Sequence, residues 1–520
     1  MPSETPTTSR HQEVERKFDV DDSTVTPSFE GIAAVARVEE SPVESLDAIY
    51  FDTPNQDLAR NKITLRRRTG GHDAGWHLKL PAGPDTRTEI HAPLAASGPE
   101  DTVPNELLDV VLAIVRDRPV RPVARITTKR ESRVLYSAEG TALAEFSNDH
   151  VIAWAAGSSE SSDSDPEQQE WREWELELIE QSEAKNGAPN ETAGTELLSR
   201  LSNRLLDAGA VPAGHGSKLA RVLGATARSN GRPPIQDPVH RAVAQHVDEL
   251  LVWDRAVRAD AYDAVHQMRV TIRKIRSLLR VSQDSFGLSD DACVLNELRE
   301  LAGVLGVARD AEVLAERYQH QLDHLAPELV RGPVRQRLVE GARSRYQTGL
   351  RRAQLAMRSQ RYFRLLDALD STVAEVPDAS LGEEAAPVTI DAAYKKVRKA
   401  AKAADDLGQD NQEDEAGRDL DEALHSIRKR AKRLRYTAAA TGENEVAKQA
   451  KGIQTLLGEH QDSVVSREHL SQQAEAAQAA GEDTFTYGLL YQREIDLAAA
   501  CREQLDDALG ELDKSVRKTH

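Results

Sequence analysis

At 520 residues the chain is too long for one hydrophobic core, so two or more domains are required. Acidic residues outnumber Lys and Arg by 86 to 67, a net charge of −19, which argues against a general nucleic-acid binder and makes any locally basic stretch conspicuous. The sequence has no run of eighteen apolar residues to cross a membrane, no apolar N-terminal core of a secretory signal, and two distant cysteines, Cys293 and Cys501, without metal-ligand spacing; the expected setting is a reducing cytoplasm.

From residue 11 to about 222 the pattern is one of short strands. EVERKF at 13–18, ITLRRR at 63–68, GWHLKL at 75–80, RTEI at 87–90, TALAEF at 141–146 and WREWELEL at 171–178 alternate in character and are separated by turn formers. Residues 105–116 and 194–208 read as helices. The Ser-rich acidic stretch from Ala155 to Glu170 reads as a mobile loop between strands.

Residues i and i+2 of a strand share a face. Glu13, Glu15 and Lys17 therefore point one way, as do Arg66 and Arg68, His77 and Lys79, Arg87 and Glu89, and Glu173, Glu175 and Glu177. The opposite faces are apolar in several segments, as at Ile63-Leu65 and Trp76-Leu78-Leu80. An ordinary surface strand also carries a charged face; five strands with matching parity fit instead a closed barrel with a polar lumen and an apolar outside covered by helices. Such a lumen suits a polyanion held by Lys and Arg, together with Mg²⁺ or Mn²⁺ held by carboxylates. His77 shares the parity of Lys79, but a structural, solvent-bonded histidine is the expectation.

Glu13-Val14-Glu15-Arg16-Lys17 is an E-x-E-x-K motif. With Leu-Arg-Arg-Arg at 65–68, Leu-Lys-Leu-Pro at 78–81, Arg-Thr-Glu at 87–89 and the late Glu-x-Glu in order, the first half resembles the CYTH family, the triphosphate tunnel metalloenzymes. The resemblance implies an eight-stranded antiparallel barrel with flanking helices, over residues 10–222, in an α+β multidomain chain. It implies that Lys17, Arg66, Arg68, Lys79 and Arg87 grip phosphates, with Arg125 and Arg130 on the next basic strand and Lys218 in GSKLARVL. Glu13, Glu15, Glu175 and Glu177, with Glu145 in ALAEF, would hold metal; Glu13, Glu15 and Lys17 form the expected catalytic set. Asp149 fits equally as a turn residue after Asn148.

Residues 223–237 read as a linker, rich in Gly, Pro and Asn. Beyond them, over 238–520, the period becomes that of long amphipathic helices, broken at Val376–Asp391 and at an acidic, loop-like stretch from Asp405 to Asp421. An internal repeat stands out. His266, Arg269, Arg273 and Arg276 match His425, Arg428, Lys432 and Arg435 as His-x2-Arg-x3-Arg/Lys-x2-Arg, and Leu-Gly-x3-Asp follows each, ending at Asp310 and Asp462. At about 100° per residue these four positions form one stripe. Ile272, Ile275 and Leu279 lie opposite the first stripe, and Ile427, Ala431 and Leu434 opposite the second. A solvated face with salt bridges is the plain alternative, but neither basic segment contains the acid that intrahelical pairing would use.

HQMRV with its basic ladder, LGVARD, LHSIRKRAKRLRY and LGEHQD resemble the CHAD family. The resemblance implies an all-α domain of two four-helix units that binds inorganic polyphosphate through the eight repeat residues, with Arg280, Lys429 and Arg433, and less directly Arg398 and Lys399, beside them. The combined expectation is a metal-dependent hydrolase of inorganic triphosphate that also binds polyphosphate, in the cytoplasm and with association to polyphosphate granules left open. Thiamine triphosphate hydrolysis, cyclisation of ATP and a non-catalytic polyphosphate adaptor stay open beside it. Nucleic-acid binding is disfavoured by the acidity and the scarcity of stacking aromatics.

Overall fold

The protein is described from a computed structural model, for residues 8–83, 85–94, 102–155, 168–179, 191–224, 237–283, 286, 293–374, 390–408 and 415–518. The chain divides into two compact units, residues 1–278 with 354–376, and residues 279–353 with 377–520.

The first unit holds the strands β1 (Ser9–Val20), β2 (Arg37–Glu40), β3 (Glu44–Asp52), β4 (Thr64–Thr69), β5 (Gly75–Pro81), β6 (Thr86–Ala92), β7 (Arg121–Tyr136), β8 (Ala142–Ala155), β9 (Gln168–Leu178) and β10 (Val211–Pro212). All pairings are antiparallel, in the order β1-β6-β5-β4-β3-β7-β8-β9, and β9 returns to β1. Eight strands thus close a barrel. Closure depends on β1, which pairs with β6 through Ser9–Val14 and with β9 through Val14–Val20. β2 adds to β7 and β10 to β1.

Strict alternation decides which face looks where. Leu65, Trp76 and Leu78 turn outward and are covered by Leu107 and Val111 of α2 (Asn105–Val115), after the short α1 (Asp57–Arg60). Phe18, Phe146, Trp174 and Leu176 turn outward elsewhere and meet Leu198, Leu201 and Leu205 of α3 (Glu191–Asp207). Each such side chain, removed from water, contributes about 1.5–3 kcal/mol. Most of the core of the barrel unit therefore lies outside the barrel; inside, one end is closed by Ala48, Ile126, Val151, Ala153 and Trp171 packed with Leu219 and Val222, and the rest is left for polar groups. A short α4 (Lys218–Val222) is capped by Ser217, whose Oγ accepts the Ala220 N–H.

The same unit contains α5 (Pro238–Arg258) and most of α6 (Ala264–Val281), and later in the chain α9 (Gln360–Ala374). Asp237 caps α5 by accepting the His240 N–H at 2.6 Å, with Pro238 at the first helical position. Arg116, held at φ 59°, forks onto Asp367 and Asp370 of α9. Buried Asp254 takes Arg258 Nε at 2.6 Å and the Tyr362 hydroxyl at 2.8 Å.

The second unit is helical, with α7 (Cys293–Asp323), most of α8 (Gly341–Ala356), α10 (Ile390–Gly408), α11 (Glu415–Ala440), α12 (Asn444–Ala479) and α13 (Phe485–Lys518). α10 to α13 share one core built on Val397, Ile427, Leu434, Ile453 and Leu512. A second core joins Tyr318 of α7 to Leu470 and Leu490. Two sequence expectations need correction. Residues 405–408 and 415–421 are helical rather than loop, because Ala404, Leu420 and Leu424 supply an apolar stripe and the acids occupy the remaining face. Ala155 ends β8, residues 168–170 belong to β9 and 390–391 to α10; the rest of the expected loop and most of the 376–391 break and of the linker lie outside the described residues. No helix among the described residues is long and apolar enough to cross a membrane.

Candidate active site

The inward faces of the barrel strands meet in one cavity of about 380 Å³. β1 contributes Glu13, Glu15 and Lys17, β4 contributes Arg66 and Arg68, and β5 contributes His77 and Lys79. β6 adds Arg87 and Glu89, β7 Arg130, β8 Glu145, and β9 Glu175 and Glu177, while α4 inserts Lys218. Register makes these groups neighbours. Glu15 and Glu145 both pair across to Glu177, so three carboxylates form a row over three adjacent strands, and Lys17 lies opposite Glu175.

The charges are closely interleaved. Lys17 Nζ donates to Glu15 Oε2 at 2.8 Å and Glu175 Oε1 at 2.5 Å, and Lys79 Nζ donates to Glu13 Oε2 at 2.5 Å. Arg130 forks onto Asp149 at 2.8 and 2.7 Å and reaches Glu175 Oε2 at 2.5 Å. Lys218 stands 2.8 Å from Asp149, 2.8 Å from Glu173 and 2.7 Å from Glu175. Arg87 is 3.3 Å from Glu15 and donates to the Gly216 carbonyl.

Burial and these neighbours split the carboxylates into two classes. Burial opposes ionisation of Glu15, yet Lys17 and Lys79 prevail and bring its pKa down to about 2. Glu175 is likewise held well below the usual range, burial being overcome by Lys17, Lys218 and Arg130. Glu13 goes the other way, to about 8, through burial and the adjoining Glu89, against the pull of Lys79. Glu177 is raised by burial, which Lys79 does not offset.

The cations are also crowded. Burial, with Arg66 and Arg130 close by, pushes the Arg68 pKa down to about 9. The Nε atoms of Arg66 and Arg68 are buried without a hydrogen-bond partner among the described residues. Arg68 meets Asp73, and Arg66 the Tyr50 hydroxyl at 3.4 Å.

Arg125 does not reach the cavity. It is five residues from Arg130 on β7, so their side chains leave opposite faces, and Arg125 forms an exposed pair with Asp47 on the outside. Asp149 is no turn residue; it sits within β8, fully buried, on the parity of Glu145 and Ser147. His77 is 2% exposed and faces the lumen, with Nδ1 2.5 Å from Glu89 Oε1. Burial, with Arg66 and Arg68 nearby, lowers its pKa to about 3 despite Glu89. Glu89, Asp149, His11 and His91 were missing from the expected site. The first two were legible, since Glu89 shares the face of Arg87 and Asp149 that of Glu145; His11 is one further inward position back along β1.

Among the described residues, the groups whose ligand atoms converge within 4.8 Å are His11, Glu13 and Glu89, and Asp149, Glu173 and Glu175; the row of Glu15, Glu145 and Glu177 is not one of them. The oxygens of the row are the donor type that Mg²⁺ or Mn²⁺ takes, and Glu177 is half-buried, with Lys79 and Lys17 acting on it from a distance. Asp149, Glu173 and Glu175 also converge, but Lys218 already fills the cation role there.

The basic repeats were placed as their spacing requires. On α6, Ile272, Ile275 and Leu279 are fully buried, Arg273 and Arg280 are exposed, and His266, Arg269 and Arg276 are half-buried. On α11, Ile427, Ala431 and Leu434 are buried, Lys429 and Arg433 exposed, and His425, Arg428, Lys432 and Arg435 half-buried. Burial, with Lys429 and Arg428 adjacent, lowers the His425 pKa. Arg435 donates to Gln454 at 3.1 Å, and on α10 Arg398 is exposed 3.6 Å from Asp513, next to exposed Lys399.

Family models match this chain to a CYTH domain over residues 11–192 and a CHAD domain over residues 241–471. An uncharacterized protein of Mycobacterium tuberculosis is 70% identical over 525 residues, covering 100% of this chain and 99% of its own. The crystal structure of the CHAD domain from the plant Ricinus communis is 22% identical and covers 53% of this chain and 90% of that one, with a TM-score of 0.38. A protein from Pyrococcus horikoshii OT3 is 17% identical and covers 41% and 98%, with a TM-score of 0.24.

Proposed function

The chain belongs to the CYTH and CHAD families, joined in one polypeptide, and from that premise we propose that its barrel hydrolyses inorganic triphosphate while its basic helices bind inorganic polyphosphate. CYTH proteins are metal-dependent triphosphate tunnel enzymes, and CHAD domains are associated with polyphosphate. The observation that carries the reading is the crowding of Arg66, Arg68 and Arg130 around a lumen with unsatisfied guanidinium Nε atoms. An anion between them relieves the repulsion and fills the open donors.

The wall also speaks to the kind of anion. At about 380 Å³ the cavity is near the small end of ligand sites, which run about 300–1,000 Å³. Among its described lining residues are one tyrosine, Tyr50, and neither Trp nor Phe. A nucleobase finds Tyr50 and the imidazoles of His11, His72, His77 and His91 to stack on but no larger ring, whereas a bare phosphate chain has donors on five strands and on α4.

Glu15, Glu145 and Glu177 would hold a divalent cation, which when bound supplies charge neutralisation and polarises a phosphoryl oxygen. The chain's own residues do the positioning. Lys17, Arg66, Arg68, Lys79, Arg87, Arg130 and Lys218 bind and align the phosphates from different sides of the barrel. Lys17 and Lys79 keep Glu15 ionised, and burial excludes bulk water from the reacting chain.

The test is phosphate release from triphosphate, long-chain polyphosphate, ATP and thiamine triphosphate, each with Mg²⁺ or Mn²⁺ and with a chelator. Metal-dependent release from triphosphate above the others is expected. No release from any, with tight polyphosphate binding, would replace the hydrolase by a binding adaptor; cyclic AMP from ATP would replace it by a cyclase.

A further inference from the structure

One mouth of the lumen carries a different kind of donor. Back along β1 from Lys17, the inward positions are Glu15, Glu13, His11 and Ser9, and β6 turns Glu89 and His91 toward them. His11 is the register partner of Glu89. Its Nε2 lies 3.4 Å from Glu89 Oε2 and 3.5 Å from Glu13 Oε1. These separations are too long for good hydrogen bonds. They are the right length for donors sharing one ion, since ligands about 2.1 Å from a metal, at tetrahedral to octahedral angles, stand about 3.0–3.4 Å apart. One ligand atom from each of the three residues lies within 4.8 Å of the others.

The surroundings support such a site. Glu89 is held from behind by His77, 2.5 Å from its other oxygen, the kind of outer contact that orients a ligand. Glu13 keeps Oε1 toward His11 while Oε2 is held by Lys79, which stands 4.0 Å from Glu89 Oε2, whereas Lys218 is 2.7–2.8 Å from all three acids of the other cluster. Gly75 leaves room for the imidazole of His91, because a Cβ there would stand 2.1 Å from His91 Nε2. His91 is not among the residues whose ligand atoms converge, and its ring is 4.9 Å from that of His77. The His11 side chain is 41% exposed, which gives an ion a way in.

We propose that His11, Glu13 and Glu89 form a mixed nitrogen–oxygen site for a divalent transition metal between Mn²⁺ and Zn²⁺, separate from the all-oxygen row of Glu15, Glu145 and Glu177. An imidazole beside two carboxylates favours these ions over Mg²⁺ and Ca²⁺, which prefer oxygen alone. The inference deepens the triphosphatase reading and rests on it for the use of the metal, not for its binding.

The experiment is pulsed electron paramagnetic resonance of the full chain with Mn²⁺ alone. Wild-type protein should show nitrogen hyperfine modulation from a bound imidazole. His11→Gln should lose it, with the Mn²⁺ stoichiometry falling by one per chain. His72→Gln should keep it, although His72 also lines the cavity and is 84% exposed beside Glu44. Circular dichroism melting establishes that each variant is folded, and His11→Asn carries the same test should His11→Gln not fold. Bound Mn²⁺ without nitrogen modulation, modulation that survives His11→Gln, or no Mn²⁺ binding would overturn the site. Because no substrate is present, the readouts separate: a nitrogen signal without triphosphate hydrolysis sinks the hydrolase reading alone, and hydrolysis without the signal sinks this one alone.

Discussion

Replacing Lys218 with Met preserves the side chain's length and removes one charge from the centre of a buried network. The ammonium is 9% exposed and within 2.7–2.8 Å of Asp149, Glu173 and Glu175. Removing one partner of a buried ion pair costs roughly 3–5 kcal/mol. Arg130 still serves Asp149 and Glu175, and Lys17 still serves Glu175, so the loss should fall at the low end, about 3 kcal/mol. Urea unfolding followed by tryptophan fluorescence reads the barrel, because Trp76, Trp154, Trp171 and Trp174 lie in its strands. The pH dependence gives a second reading. In the wild type, burial opposes ionisation of Asp149 and Glu175, but their cations lower both pKa values. Such groups contribute stability above the unfolded carboxylate value of about 4, and lose it as pH falls through the folded one. Without Lys218 those folded values rise, the folded chain takes up protons more readily, and the gap to wild type should narrow from pH 8 to pH 5. Asp149→Asn added to Lys218→Met should recover about 1–3 kcal/mol as coupling. A variant within about 0.5 kcal/mol of wild type, or a gap that widens as pH falls, would refute the idea that these charges are mutually dependent.

Arg125→Ala should leave phosphate release unchanged and cost less than about 1 kcal/mol by urea unfolding, since its pair with Asp47 is solvent-exposed. Gly349→Ala should destabilise the second unit by about 1–3 kcal/mol in circular dichroism melts, because its Cβ would stand 2.8–2.9 Å from the Ala308 backbone, while Gly303→Ala meets nothing within 4 Å and should be neutral or better. Glu15→Gln should abolish metal-dependent phosphate release, at least a hundredfold by about 2.7 kcal/mol of lost transition-state stabilisation, and leave polyphosphate affinity intact by titration. Arg273→Glu with Lys432→Glu should do the reverse; loss of both activities in both folded variants would sink the two-site reading.

Parity made most of the lumen readable in advance, and its failures have physical reasons. Glu13, Glu15, Lys17, Arg66, Arg68, Lys79 and Arg87 lie in strands whose opposite faces are plainly apolar, so their direction follows from Val14, Leu65, Trp76, Leu78 and Leu80. β7 carries no such contrast: Arg125, Lys129, Arg130 and Arg133 interrupt both faces, and only pairing with β3 and β8 fixes which one turns inward. Asp149 was obscured by Asn148, because an Asn-Asp pair is a turn signal locally and becomes strand only inside the long β8 hairpin. The helical half was legible for a different reason. The apolar stripe opposite each basic ladder repeats with the helical period, so Ile272 and Ile427 identified the buried face without any tertiary information.

What parity cannot reveal is which charges neutralise one another, and that is where the chemistry of the lumen lies. Lys17, Arg130 and Lys218 are saturated with carboxylates, so the phosphate chain of the proposed function would reach them only by competing with Glu15, Asp149 and Glu175. Arg66 and Arg68 have fewer acidic contacts, keep open donors, and repel one another. On the proposed function, the first phosphate contact would fall on β4, and the saturated cations would become available as their carboxylates turn to other partners. A lumen built this way holds its charges in balance when folded and exchanges partners within itself when ligand enters, which requires that acids and bases alternate around the barrel rather than segregate to opposite sides. The registers Lys17 opposite Glu175 and Lys79 opposite Glu89 place an acid beside a base on adjoining strands and meet that requirement.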